Sequence, residues 1–68
     1  MQFELNTHEY IELNKLLKIT NLVGTGGEAN VLITDGEVLV NGQVETQKRK
    51  KLRSGDTVEF DGQTIQVR

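Results

Sequence analysis

Sixty-eight residues with no cysteine exclude a disulfide framework and a thiolate metal site, leaving one small domain, residues 1–68, held by hydrophobic packing. No apolar run approaches a membrane span and no signal-peptide pattern opens the chain, so the expectation is a soluble, cytoplasmic protein with no membrane partner. The net charge of −2 hides an asymmetry: Lys48, Arg49, Lys50, Lys51 and Arg53 put +5 into six residues, while the rest of the chain sums to −7. Such a distribution focuses a positive field on one patch of an acidic body.

Phe3 and Leu5 flank Glu4 in strand alternation. Thr7 is positioned to cap a first helix with Glu9 and Glu12 in its opening turn and Lys15 and Lys18 at its close, the polarity the helix dipole favours. Leu13, Leu16 and Leu17 form its inner stripe, with Tyr10 one turn earlier and Ile11 at the edge, and Asn21 ends it. A second helix opens at Thr25, whose hydroxyl can accept a backbone N–H while Glu28 reaches back in a capping box. Ala29, Leu32 and Ile33 recur on one face, and Gly36 stops the helix where a left-handed residue is needed. Val38 and Val40 then alternate as a strand, and Asn41-Gly42 turns the chain sharply.

Between that turn and Ser54 only Val44 and Leu52 are apolar, which reads as an extended basic arm pinned at both ends. Thr57–Phe60 and Gln63–Val67 are two strands joined by Asp61-Gly62, a two-residue hairpin signal. In that register Val58 faces Ile65 and Phe60 faces Gln63, which places Val58, Phe60, Ile65 and Val67 on one face. The expected fold class is α+β, two helices packed on a small, mostly antiparallel sheet drawn largely from the C-terminal half.

No nucleophile, base and orienting group assemble, and no metal-ligand spacing occurs, so neither an enzyme nor a cofactor is expected. His8 reads as a surface residue. The loop Gly24-Thr25-Gly26-Gly27 lacks the spacing of nucleotide-binding motifs, yet Gly26 and Gly27 at a helix start leave free N–H groups that a phosphate can approach. The alternative is that the two glycines only ease entry into the helix. With Phe3 and Phe60 committed to the core, no stacking platform is expected, and nucleic acid would be gripped by its phosphates and shape.

From Leu13 to Gly42 the chain resembles the RNA-binding module first known from small-subunit ribosomal protein number four, whose core, the alpha-L motif, is two helices and a following strand. The likeness rests on Leu13, Lys15, Leu16, Leu17, Ala29, Leu32, Ile33, Gly36, Val38, Val40, Asn41 and Gly42, and on Gly55, Asp56 and Val58, which fit a closing Gly-Asp-x-Val segment. The whole chain is similar to small bacterial proteins consisting of this module alone. Thr25-Gly26 stands where many members carry Ser-Arg, Asn30 where another Arg is common, and Glu12 where a basic residue is frequent.

The resemblance implies a binder of structured RNA, and the expectation is a non-enzymatic monomer with ribosomal RNA and ribosomal or RNA-processing proteins as the partners to test. Lys48, Arg49, Lys50, Lys51 and Arg53 would meet phosphates, Lys15 and Lys18 would add attraction, Gly26 and Gly27 would hold one phosphate, and Asn30 would lie in the contact surface. The alternative from another class is a protein–protein adaptor whose basic arm docks an acidic partner.

Overall fold

The computed structural model describes all residues 1–68. Its elements are β1 (Gln2–Phe3), β2 (Ile11–Glu12), α1 (Leu13–Ile19), α2 (Gly26–Thr34), β3 (Val38–Val40), β4 (Gln43–Val44), β5 (Lys51–Leu52), β6 (Thr57–Phe60) and β7 (Gln63–Val67). Five strands form one sheet in the order β1-β7-β6-β3-β4, and β2 pairs with β5 as a separate ribbon. Every pairing is antiparallel except β1 with β7. This is the expected α+β fold.

The core follows from two periodicities that meet. Leu13, Leu16 and Leu17 of α1 and Ala29 and Ile33 of α2 are fully buried, as helical spacing requires. Val38, Val58 and Ile65, at alternate strand positions, are equally buried from the sheet side. The β6–β7 hairpin has the expected register, with Val58 opposite Ile65 and Phe60 opposite Gln63. Asp61 (φ 52°) and Gly62 (φ 75°) make its turn, and Asn41 (φ 52°) and Gly42 (φ 83°) make the β3–β4 turn.

Helix α2 is built almost as its sequence dictates. Thr25 occupies the N-cap and its hydroxyl accepts from the Glu28 N–H at 3.1 Å. The Glu28 carboxylate reaches one residue further back than a capping box specifies, accepting from the Gly24 N–H at 2.9 Å. At the other end Gly36 (φ 80°) donates to the Ile33 carbonyl and Glu37 to the Leu32 carbonyl, the paired bonds of a Schellman stop.

Helix α1 departs from expectation. It begins at Leu13, not after Thr7, and Glu12 at its N-cap makes no side-chain cap bond. The cause is tertiary: Ile11 and Glu12 are extended because they pair with Leu52 and Lys51. Thr7 and His8 therefore lie in a turn, with the His8 N–H donating to the Leu5 carbonyl at 3.0 Å. Ile11 is buried rather than marginal, and Tyr10 is exposed rather than part of a helical stripe. Of the two apolar anchors expected for the arm, Leu52 is fully buried but Val44 is 57% exposed, since β4 is the outer strand of the sheet.

Candidate nucleic-acid interface

The basic segment is fixed by its own backbone. Lys48 and Arg49 sit at the tip of a turn closed by the Lys50 N–H on the Gln47 carbonyl at 3.2 Å, and both are exposed. The Lys50 carbonyl accepts from Leu13 N–H at 2.9 Å and the Lys48 carbonyl from Asn14 N–H at 3.1 Å. These are the first amides of α1, which have no partner inside the helix. The arm thus supplies the N-terminal cap that Glu12 does not. Lys50 itself is half-buried.

Beyond the turn the chain becomes β5, where alternation divides the side chains. Leu52 enters the core, opposite Ile11. Lys51 and Arg53 emerge on the other face, where Lys51 Nζ lies 5.0 Å and Arg53 Cζ 5.7 Å from the centre of the Tyr10 ring. Sequence reasoning missed Tyr10 by assigning it to a helix. The available signal was the alternation of exposed Tyr10 with Ile11, masked by the leucines that follow.

The end of the arm is tied down at Asp56. Its Oδ2 accepts from Arg53 N–H at 2.8 Å and its Oδ1 from the Asn41 side-chain amide at 3.0 Å. Asn41 Oδ1 in turn accepts from Thr57 N–H at 2.9 Å. Partial burial pushes the Asp56 pKa up, but the Arg53 amide, the Asn41 amide and the charges of Lys50 and Arg53 together hold it below the ordinary carboxylate range.

The helical candidates divide. Lys15 and Lys18 are exposed, and Lys15 makes only a 3.9 Å contact with Glu12 Oε1, which leaves its charge available. Asn30 is engaged: its Oδ1 accepts from the Asn14 side-chain amide at 3.1 Å, while Asn14 Oδ1 is buried without a partner. Asn14 therefore joins the arm, through its backbone, to α2, through its side chain. Gly26 and Gly27 are the first two residues of α2. Neither has a positive φ, a Cβ on Gly26 would meet nothing within 4 Å, and one on Gly27 would only reach Thr25 Oγ1 at 3.9 Å. The fold itself does not require glycine at either place. The Glu28 carboxylate, bound to Gly24 N–H, already brings negative charge to this helix end and competes with an incoming anion. Asn30 lies four positions after Gly26, about 6 Å along the axis, so the glycine end lies one turn away from the junction with the arm.

A groove of about 640 Å³ runs beside α1, lined by Phe3 and Leu5, the segment from Thr7 to Glu12, and Lys15 and Ile19. Tyr10 lines it, whereas Lys51 and Arg53 do not.

The family model of the S4 domain matches residues 3–68. In Escherichia coli (strain K12) the protein named "Putative RNA-binding protein YbcJ" is 43% identical over 65 residues, covering 96% of this chain and 93% of YbcJ. In Bacillus subtilis (strain 168) the "Probable ribosome maturation protein RlbA" is 37% identical over 54 residues, 79% of this chain and 76% of RlbA. The solution structure of YbcJ, described as revealing an alfaL motif involved in RNA-binding, superposes with a TM-score of 0.74 at 42% identity, covering 97% of this chain and 84% of that one. The two helices of this chain and the strand that follows them thus have the architecture of an alpha-L motif, and the chain belongs to the S4 domain family.

Proposed function

We propose that residues 1–68 act as one non-enzymatic module that binds structured RNA by its phosphate backbone, with ribosomal RNA as the class of target. The observation that carries this reading is the basic turn: Lys48 and Arg49 are exposed at its tip, on a backbone fastened to the first amides of α1. Cations on a fixed frame lose less conformational freedom on binding than cations on a free loop. Lys50, Lys51 and Arg53 extend the positive strip, and Lys15 and Lys18 add longer-range attraction. Asn30 lies beside the strip through Asn14 and can offer its amide N–H₂ to RNA, because only its oxygen is used by the fold. The Gly26 and Gly27 amides form a secondary phosphate contact, one turn from the strip and weakened by Glu28.

Membership in the S4 domain family and the RNA-binding and ribosome-maturation names of the relatives support this assignment. The deciding experiment is a pull-down from bacterial lysate with and without RNase. RNA-dependent recovery of ribosomal particles or rRNA is the expected result. Recovery of an acidic protein that survives RNase would replace this reading with that of an adaptor.

A further inference from the structure

Resting on the RNA-binding reading, we infer that Tyr10 and the groove beside it form a pocket for one unpaired RNA base, so that the module selects looped or bulged RNA over continuous duplex. Phe3 and Phe60 are partly buried against the core, which leaves Tyr10, 39% exposed, as the accessible aromatic side chain. Its position is set by the β2–β5 ribbon. Ile11 and Leu52 face the core, so Tyr10, Glu12, Lys51 and Arg53 share the outer face. Lys51 and Arg53 lie over the ring, 5.0 and 5.7 Å from its centre, without entering the groove, whereas the ring itself lines it. One aromatic side chain therefore joins a cationic surface to a cleft.

The charges on the two sides sort the parts of a nucleotide. Outside, Lys51 and Arg53 attract phosphates. The groove's own charges are Glu9, Glu12 and Lys15, two carboxylates against one cation, so it draws phosphates less than Lys51 and Arg53 do and suits a base, whose amino groups can donate to a carboxylate. His8 and Thr7 add polar partners to the wall, and Leu5 and Ile19 supply apolar surface. A volume of about 640 Å³ is ample for a base and its sugar. Recognition of a splayed base on an aromatic ring is the usual route to sequence-tolerant discrimination of unpaired RNA.

The test uses two RNA hairpins, identical except for one bulged nucleotide. Intrinsic labelling is available, because Tyr10 is the chain's one tyrosine and there is no tryptophan. Its ring protons are therefore resolvable in NMR spectra. Titration with the bulged hairpin is expected to shift them upfield, the paired hairpin is expected to leave them nearly unmoved, and the bulged RNA is expected to bind at least about fivefold more tightly. Tyr10→Leu should erase that preference without changing the salt dependence, and Tyr10→Phe should retain it. If Tyr10→Leu does not fold, the wild-type titrations and Tyr10→Phe decide the question. Equal affinity for the two hairpins with unmoved ring protons overturns the pocket but leaves phosphate binding intact. Failure to bind either hairpin, or any ribosomal RNA, at low salt overturns both.

Discussion

The side chain of Asn41, at the turn after β3, donates to Asp56 Oδ1 at 3.0 Å and accepts from the Thr57 N–H at 2.9 Å. Fifteen residues apart, Asn41 and Asp56 close the loop that contains the whole basic segment. This explains why an Asn-Gly turn and a later Gly-Asp occur together in the sequence. The first residue turns the sheet at positive φ, and its amide then holds the carboxylate that receives the Arg53 N–H at 2.8 Å. Asp56→Asn is expected to weaken this tie, because both neighbours are donors and an amide can accept through only one of its two arms. We expect a loss of about 0.5–1.5 kcal/mol in denaturant unfolding, the usual worth of a partly exposed hydrogen bond. Increased amide exchange at Arg53 should accompany it.

The same contact has a pH signature. Asp56 titrates below its ordinary range in the folded protein, so the folded state favours the charged form. Its contribution to stability is complete above the pKa of an unfolded aspartate and is lost as pH falls through the lower folded value. Wild type should therefore lose stability more steeply than Asp56→Asn on acidification below about pH 4. Parallel curves for the two proteins in urea melts across that range would show that Asp56 carries no such linkage.

Gly36 is a test of backbone conformation rather than of space. A Cβ there would meet Val44 Cγ1 at 3.5 Å, an ordinary contact, but the φ of 80° disfavours any side chain. Gly36→Val should cost more than about 1 kcal/mol, and Gly36→Asn should cost less, since Asn adopts left-handed conformations more readily than a β-branched residue. Thermal melts of the two variants would separate these effects. Equal losses would point to crowding against Val44 instead.

Helix α2 should depend on Thr25. Thr25→Ala removes the acceptor for the Glu28 N–H and is expected to lower stability by about 0.5–2 kcal/mol. In a 68-residue chain that is a visible fraction of the total. An unchanged midpoint would mean that water replaces the cap without cost.

How much was legible in the sequence depended on whether the determining contact was local. The Thr25–Glu28 cap, the Gly36 stop, the Asn41-Gly42 turn and the β6–β7 register are each set within a few residues, and each appears where its residues indicate. The start of α1 was not legible, because the residues that fix it are Lys48, Lys50, Lys51 and Leu52, nearly forty positions away. Read locally, Thr7 with Glu9 and Glu12 makes a good helix start; pairing of Ile11 with Leu52 overrides it. The same distant pairing brings Tyr10 to Lys51 and Arg53, and helical spacing counted from Leu13 back to Tyr10 hides the aromatic group beside the cations. The charge run itself was plain, but not that its carbonyls cap a helix.

That last feature separates two roles of the basic segment and makes its charges testable without unfolding the protein. The helix-capping contacts come from backbone carbonyls of Lys48 and Lys50, and the side chains of Lys48 and Arg49 project from the turn. Reversing both, as Lys48→Glu with Arg49→Glu, leaves the backbone bonds in place, and the melting midpoint should stay near that of wild type. Lys50 is left alone because it is half-buried and its charge supports ionised Asp56. If the wild-type segment meets about four phosphates, the duplex slope predicts that affinity falls on the order of a hundredfold between about 50 and 200 mM salt. Removing two of those contacts should reduce the fall to roughly tenfold over the same range. The loss should be similar for unrelated RNAs, since phosphates carry no direct sequence information. Gel shifts over a salt series, paired with melts, provide the measurement. A double variant that remains folded and binds structured RNA with the wild-type affinity and salt slope would reduce the turn to a helix cap that happens to be charged. The RNA contacts would then have to be sought on Lys15, Lys18 and the outer face of the β2–β5 ribbon.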